Sequence, residues 1–550
     1  MSDVGIIYYA DGVKNLYRSP VDLTAPIVGG LSAFQILSKR LSNIHVPGSV
    51  LLVPEFSATD FAPLAKSAGT ELIRFSLAET IEKPYSLNQQ HWAIEDGSGN
   101  DSWLGSAFAA VFQQKDWETA ILIPLTNMLI DPSDVGESLE LHYREGFEVT
   151  LVAERIPGAE WAIFDRDLIL GLNRSNPEVM TARGALYWAI QKPLYPFKVG
   201  TYHSPRIRPR LSVNLRLNSQ RALNCFKQVA HDDFATSAFS YGRFLSDSGW
   251  EKAYAAYAPL QINVEPSSLC GASCNNCPNA LIKRQKGLLS ANAFVRAISD
   301  IEDKDARIVF SGIGEPLLNP ELNFMLEQTS GFCTTLQTSL QKMPDSSFPY
   351  KSVDHIRISM DSDTKRGFES LRSGCSCENI TGFIDQMAEM KTDYCAVRPE
   401  IGLDYLRRGC SEADIMPFMK KWRAVCRPVF KNDFFRWPYD SKPDKISWYQ
   451  ISGEASYCGK IKNTSSVDFE PVKRRPCRNA ILSLTVLSDG TVTGCPFDAE
   501  GDCCALGNIT ENTLLEIWKS EKAEAWRQSH LSLSFSETGY CSVCKDWFRY

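Results

Sequence analysis

Sixteen of the 17 cysteines lie after residue 260, and only Cys225 precedes them. Three of them, Cys270, Cys274 and Cys277, fall within eight residues in "LCGASCNNCPNA" (269–280). Thiols at this density are buried apolar groups, metal ligands, reactive groups or disulfides. A disulfide scaffold suits a short secreted chain. This chain has 550 residues and opens on "MSDVGIIYYADGVKNLY", which lacks the basic and long apolar regions of a signal peptide. It has no run of about 18 apolar residues either, so a cytoplasmic protein with no membrane span is expected. The seven histidines are scattered and form no HxxxH or CxxH set. A bound metal would therefore be held by sulfur, as a zinc tetrathiolate or an iron–sulfur cluster.

A chain of 550 residues is too long for one ordinary core and suggests three or four units. The net charge of -7 argues against a general nucleic-acid binder, which needs a basic face. The short basic runs "RIRPR" (206–210) and "KRR" (473–475) read as solvated surface. Over residues 1–235, apolar runs alternate with helical patterns. "VLLVP" (50–54), "ELIRF" (71–75), "AILIPL" (120–125) and "FEVTLVA" (147–153) read as buried strands. "AFQILSKRLSNI" (33–44) and "SDVGESLELHYREG" (133–146) read as helices between them. This is an α/β pattern with a mostly parallel sheet. Residues 236–257 read as a helical linker.

From residue 258 to 430 strand and helix alternate regularly. "LQINVE" (260–265) leads into the triple-cysteine loop, and "SANAFVRAISDIED" (290–303) is a helix with Ser290 as N-cap. "ARIVFSG" (306–312), "TTLQTSL" (334–340), "HIRISMD" (355–361), "CAVRPEIG" (395–402) and "RAVCRPVF" (423–430) are further strands. The pattern fits a partial (β/α)6 barrel of the TIM type. Residues 431–470, aromatic and polar without clear periodicity, read as a bridge.

Zinc commonly takes two CxxC pairs, whereas three cysteines on one cubane [4Fe–4S] cluster leave one iron open. Cys-x3-Cys-x2-Cys after the first barrel strand resembles the radical SAM enzymes. The resemblance covers about residues 258–430. It implies that Cys270, Cys274 and Cys277 hold a [4Fe–4S] cluster whose open iron chelates S-adenosylmethionine. One electron then yields methionine and a 5′-deoxyadenosyl radical, which takes a hydrogen atom from the substrate. Asn276 stands where most members of the family carry an aromatic residue. "FSGIGEPLLNP" (310–320) resembles the family's Gly-Gly-Glu element: Gly312 and Gly314 let the backbone approach a ligand, and Glu315 can accept from the ammonium of the methionine moiety. "RISMDS" (357–362) resembles the strand whose serine and acid face the cofactor, with Ser359 and Asp361 alternating onto one face. "LRSG" (371–374) adds Arg372. Read alone, these are also an ordinary strand–helix turn, a polar strand end and a surface arginine.

At the end of the chain, Cys477 and Cys495 flank a hairpin pattern with "SDG" at its turn, and Cys541 and Cys544 form a CxxC. Spacing alone leaves zinc and iron open. Cysteine, twelve residues, glycine, four residues, cysteine (Cys477, Gly490, Cys495) resembles the opening of the SPASM domain. Because the sequence stops six residues after Cys544, the resemblance is to its shortened twitch form, a β-hairpin plus helix over 471–550. That implies a second [4Fe–4S] cluster on Cys477, Cys495, Cys541 and Cys544, for electron transfer. Cys503 and Cys504 are surplus, as buried thiols, substitute ligands or a proton donor. Cys375, Cys377 and Cys458 read as ordinary thiols.

Residues 1–235 resemble the cytidylyltransferase-like nucleotidyltransferases, of glycosyltransferase-A-like fold, through "LIPLTNMLIDPSDVGESLELHYREGFEVTLVAERIPG" and the closing strand–helix "LSVNLRLNSQRALNCFKQV". Thr126 and Asn218 stand where that family places metal-binding aspartates, and "YYADGVKNLYRSP" replaces its phosphate loop. Mg²⁺ favours carboxylates, so the expectation is a fold without transferase activity. The combination resembles the spiro-SPASM group. Three functions follow. The first is a radical SAM enzyme acting on a sugar or nucleotide-linked sugar, served by an electron donor such as flavodoxin or ferredoxin. The second is an enzyme of the same chemistry acting on a peptide or protein side chain. The third is a zinc-stabilised binding protein.

Overall fold

The structure, a computed structural model, describes residues 3–10, 21–75, 104–153, 156–175, 197–203, 211, 213–247, 249–362, 364–394, 399–423, 427–428, 448–453, 455–462, 471–535 and 539–548. They fall into two compact units, one up to Tyr254 and one from Ala255 on. Several expected features lie wholly or partly outside the described residues: most of the loop "YYADGVKNLYRSP", the run "RIRPR", the first half of the strand "CAVRPEIG", most of the strand "RAVCRPVF" and most of the bridge 431–470.

The first unit is built on a seven-stranded sheet of β1 (Val4–Tyr9), β2 (Gly48–Pro54), β3 (Glu71–Phe75), β4 (Thr119–Pro124), β5 (Val149–Ala153), β6 (Ala162–Asp165) and β7 (Val199–His203), in the order β3-β2-β1-β4-β6-β5-β7. A strand covered on both faces must be apolar at every position, which is why β1, β2 and β4 read as nearly unbroken apolar runs, while the edge strands β3 and β7 alternate buried with exposed residues. Ile7, Tyr9, Val50 and Leu52 enter one core. Their neighbours Ile6, Tyr8, Leu51 and Val53 enter another. The sheet is mixed, because β6 runs antiparallel to both β4 and β5. The helix Pro132–Glu145 starts where Asp131 accepts from the Ser133 amide and stops at Gly146 in the left-handed region.

Among the described residues of 211–217, no strand forms where the closing strand was expected. Leu215 and Leu217 are buried, but their amides donate to Pro157 and Thr126, on two different loops, and no ladder is shared. The apolar alternation there pairs with no strand among the described residues. The stretch 236–257 carries the helices Tyr241–Ser246 and Gly249–Ala256; Trp250 stacks on Phe244, and Phe244 meets Phe226.

The second unit is also mixed α/β. Its strands are β8 (Gln261–Val264), β9 (Ser273–Cys274), β10 (Arg307–Phe310), β11 (Cys333–Thr338), β12 (His355–Ser359), β13 (Arg372–Ser373), β14 (Glu400–Arg407), β15 (Arg427–Pro428), β16 (Trp448–Gly453), β17 (Ser483–Val486), β18 (Thr491–Thr493) and β19 (Ala505–Asn508). Ten of them form one sheet in the order β15-β16-β14-β12-β11-β10-β8-β17-β18-β19. From β8 through β10, β11, β12 and β14 to β16, each neighbouring pair is parallel. Such pairs need long crossovers. Helices Ala291–Ile298, Leu322–Glu327 and Cys377–Tyr394 lie in three of these, the first with Ser290 as its N-cap.

Strand β16 is a difference from the expectation, since it lies in the stretch read as a bridge. "WYQISG" carries only the short alternation "YQIS", and the strand forms by parallel pairing with β14. The C-terminal hairpin joins this same sheet. Strand β17 pairs in parallel with β8, from Ser483↔Gln261 to Val486↔Val264, and turns through Gly490 at φ 86° into antiparallel β18. Ile262, Val264, Leu484, Val486, Trp518 and Trp526 accordingly share one core. Among the described residues no helix is long and apolar enough to cross a membrane.

A buried ion pair fastens the hairpin to the end of β8. Glu265 (2 % exposed) faces Arg284 and also accepts from the amides of Ser488 (2.9 Å) and Ile313 (3.3 Å). Arg284 donates in addition to the Ala499 carbonyl (2.7 Å) and the Ser488 hydroxyl (2.9 Å). Removing one partner strands the other charge out of water. Arg284→Met is therefore expected to cost about 3–5 kcal/mol of stability, read by chemical denaturation; a loss under about 1 kcal/mol would show the pair to be solvated.

Candidate functional site

The triple-cysteine loop leaves the C-terminal end of β8, the end at which open α/β sheets bind ligands. Its path is set by contacts that leave little freedom. Asn279 donates to the carbonyls of Ser268 (2.8 Å) and Ile313 (3.0 Å). Gln341 accepts from the Gly271 amide (2.8 Å) and donates to the Cys270 sulfur (3.0 Å). The two-residue strands β9 and β13 pair antiparallel, Cys274 opposite Arg372. Gly314 supplies the closest approach: a Cβ there would stand 2.2 Å from the Ser267 oxygen and 2.7 Å from that of Leu269. Those are backbone atoms that cannot turn aside. Gly312, at φ 120°, occupies a conformation open to glycine.

A cleft of about 280 Å³ opens above the strand ends. Cys270, Cys274 and Cys277 line it, and so do Gly312, Gly314, Glu315, Ser359 and Arg372. Asp361 is the exception among the expected residues. It is fully buried behind the wall, where it pairs with Arg372 (2.8 Å) and Arg408 (3.0 Å) and accepts from the Leu406 amide (3.1 Å).

Glu315 is 1 % exposed and already well occupied. One oxygen accepts from Thr338 Oγ1 (2.6 Å) and the Leu317 amide (3.2 Å), the other from the Ser339 amide (3.0 Å) and hydroxyl (2.7 Å). A carboxylate has about four acceptor positions, so in this state Glu315 fixes the turn instead of presenting a free acceptor. Several lining residues carried no sequence signal: Gln341, Arg408, the Arg357–Asp404 ion pair (2.7 Å), Tyr457 and Phe497.

Cys375, expected to be an ordinary thiol, hydrogen-bonds Cys274. That bond, with the guanidiniums of Arg372 and Arg408, pulls the Cys274 thiol down to about 6 against the opposing effect of burial. The thiolate is the metal-binding form. Burial pushes Cys277 up. Three thiols on one loop, one of them poised as thiolate, suit an iron–sulfur cluster held by cysteine.

The C-terminal thiols also converge. Cys477 precedes the short helix Arg478–Leu482, Cys495 follows β18, and Cys541 lies in the turn Gly539–Val543, with Cys544 just beyond. Cys477, Cys495 and Cys544 all act electrostatically on Cys541. Burial raises Cys477 to about 12 and Cys544 to about 11. Cys495 is held well below the ordinary thiol range, chiefly by a hydrogen bond from Cys458. Cys458 is thus a second thiol whose expected ordinary role does not fit its place. Among the described residues no three of these four sulfurs lie within 4.8 Å of one another, so the set suits a multi-iron cluster held by cysteine better than a single ion.

Residues 477–545 match the family model of the SPASM iron-sulfur cluster-binding domain. No curated protein matches the chain. Among solved structures, a cytidylyltransferase from Leptospira borgpetersenii is 17% identical over 45% of this chain and 93% of its own, with a TM-score of 0.35. BtrN in complex with AdoMet and 2-DOIA is 17% identical over 52% of this chain and 92% of its own, with a TM-score of 0.34. Streptococcus suis SuiB bound to S-adenosylmethionine is 14% identical over 61% of this chain and 88% of its own, with a TM-score of 0.36. The match of 477–545 coincides with the segment that carries Cys477, Cys495, Cys541 and Cys544.

Proposed function

We propose that the chain is a radical SAM enzyme that removes a hydrogen atom from a sugar or nucleotide-linked sugar. The observation that carries the reading is the opening of Cys270, Cys274 and Cys277 into one cleft with Gly312, Gly314, Glu315, Ser359 and Arg372. The strands expected over 260–265, 306–312, 334–340, 355–361, 395–402 and 423–430 are read as those of a partial (β/α)6 barrel. The three loop cysteines would hold one [4Fe–4S] cluster, and Cys477, Cys495, Cys541 and Cys544 a second. With S-adenosylmethionine bound, the first would supply one-electron reductive cleavage of the cofactor, and the second would supply electron transfer. An external flavodoxin or ferredoxin would deliver the electron. The sugar assignment rests on the resemblance of residues 1–235 to nucleotidyltransferases.

The chain's own residues prepare the cleft. Arg372 and Arg408, both anchored on Asp361, place positive charge beside Cys274 and favour its thiolate. Gln341 couples the Cys270 sulfur to the Gly271 backbone, so the loop is oriented before any ligand arrives. Glu315 holds the turn that brings Gly312 and Gly314 to the cleft wall. Tyr457 and Phe497, in edge-to-face contact at 5.7 Å, form an apolar part of the wall that limits water.

Anaerobic reconstitution with iron and sulfide, followed by S-adenosylmethionine and dithionite, is expected to yield 5′-deoxyadenosine. Cys270→Ala, Cys274→Ala and Cys277→Ala should each reduce it by at least about 10⁴-fold, since cleavage then lacks its electron source. Zinc without acid-labile sulfide, and no 5′-deoxyadenosine, would reject the enzyme. Thermal-shift measurements with nucleotide sugars and short peptides should show stabilisation by the former; binding of peptides alone would transfer the reading to side-chain modification.

Gly314→Ala should lose most iron at the first site while the C-terminal site keeps its own. A Cβ there forces the Ser267–Leu269 backbone away and moves Cys270 with it. Mössbauer or electron paramagnetic resonance spectra separate the two, and undiminished first-site signal would show the approach to be dispensable.

A further inference from the structure

We propose that Cys458, Cys503 and Asp498 form a mononuclear zinc site, separate from the four-cysteine set, that ties the segment 455–462 to the loop 495–504. Their ligand atoms all lie within 4.8 Å of one another. Zinc bonds of about 2.3 Å to sulfur and about 2.0–2.2 Å to oxygen place tetrahedral ligands about 3–4 Å apart, so a small closure around one ion suffices.

The carboxylate is the informative member. Asp498 is fully buried, and among the described residues no lysine, arginine or histidine pairs with it. The nearby Lys460 faces Glu500 (3.7 Å) and Asp502 (3.9 Å) instead. A buried anion between thiols is costly without a cation. Its orientation is nevertheless fixed: one oxygen accepts from the Gly501 amide (3.1 Å), the other from the amides of Cys503 (3.2 Å) and Cys504 (3.0 Å) and from the Cys504 thiol (3.3 Å). Ligating carboxylates are held by such outer hydrogen bonds. Each oxygen has two lone pairs, so the first retains one for a metal.

The donor set selects the ion. Two thiolates and a carboxylate match tetrahedral zinc with water in the fourth position, and not the all-cysteine shell of a closed iron–sulfur cluster. The backbone is shaped to deliver Cys458. Tyr457, Cys458 and Gly459 lie in the left-handed region at φ 48°, 55° and 82°. Strain of this kind persists where the surroundings hold it. The consequence reaches the cleft. Tyr457 and Phe497, each adjacent in sequence to a ligand, meet at 5.7 Å in the cleft wall. The ion would fix that aromatic pair.

The test uses the full chain after anaerobic reconstitution, with elemental analysis and zinc-edge X-ray absorption. About one zinc per chain is expected, with two sulfur neighbours and the remainder oxygen. Cys458→Ser and Cys503→Ser should each lower zinc content at least about tenfold while iron and sulfide stay at the wild-type level. The half-exposed position of Cys503 guards the second variant against misfolding, which circular dichroism checks. Wild-type protein without zinc, zinc with four sulfur neighbours, or zinc retained in either variant would overturn the site. Loss of iron together with zinc in Cys458→Ser would overturn it too, by assigning Cys458 to the cluster. The zinc readout needs neither S-adenosylmethionine nor a reductant, so it is independent of whether the enzyme reading holds.

Discussion

Strand β8 is only four residues long, yet both cysteine sets depend on it. It is hydrogen-bonded in parallel to β10 on one side and β17 on the other, in matching register from Gln261 to Val264. The triple-cysteine loop leaves its end. The Gly312–Glu315 turn leaves the end of β10, and the hairpin that carries Cys495 begins with β17. A one-residue slip in either ladder would turn buried side chains outward. Ile262, Val264, Leu484 and Val486, all nearly inaccessible, oppose such a slip. Register in a short apolar strand therefore sets which thiols face which cavity.

Buried charge reinforces that register. Glu265 sits one residue beyond β8 and binds backbone amides from both flanking loops as well as Arg284. Asp361 does the same beyond β12, with two arginines that reach it from β13 and from the end of β14. Each carboxylate is out of water and is satisfied only when several segments are in place at once. Such groups favour one arrangement over its near neighbours, because a misplaced segment strands a charge.

Much of this was legible in the sequence. Runs such as "VLLVP" and "RIVF" gave strands because both faces of the sheets are covered, and the close cysteines with the GxGEP turn pointed to one cleft because adjacent parallel strands end together. The elements that escaped share a physical cause. Strand β16 has only the short alternation "YQIS", and pairing with β14 is what makes it a strand. The run at 211–217 has a strand's alternation but no strand beside it among the described residues. Cys375 and Cys458 stand outside any spacing motif, and only tertiary packing sets them against Cys274 and Cys495. Periodicity reports what a segment needs; it cannot report which neighbour supplies it.

The segment 455–462 shows how far such neighbours connect the unit. Ala455, Tyr457 and Ile461 line the cleft beside the triple-cysteine loop. The Asn276 side chain of that loop donates to the Lys462 carbonyl at 3.3 Å. Between these contacts, Cys458 turns away to Cys495, Cys503 and Asp498. Successive residues in left-handed conformations let neighbouring side chains face opposite environments, one toward the cleft and the next toward the C-terminal thiols. A displacement at either end must pass through this turn, because close-packed interiors transmit strain instead of absorbing it. The wall of the first site and the sulfur-rich interior of the second are thus two faces of the same few residues.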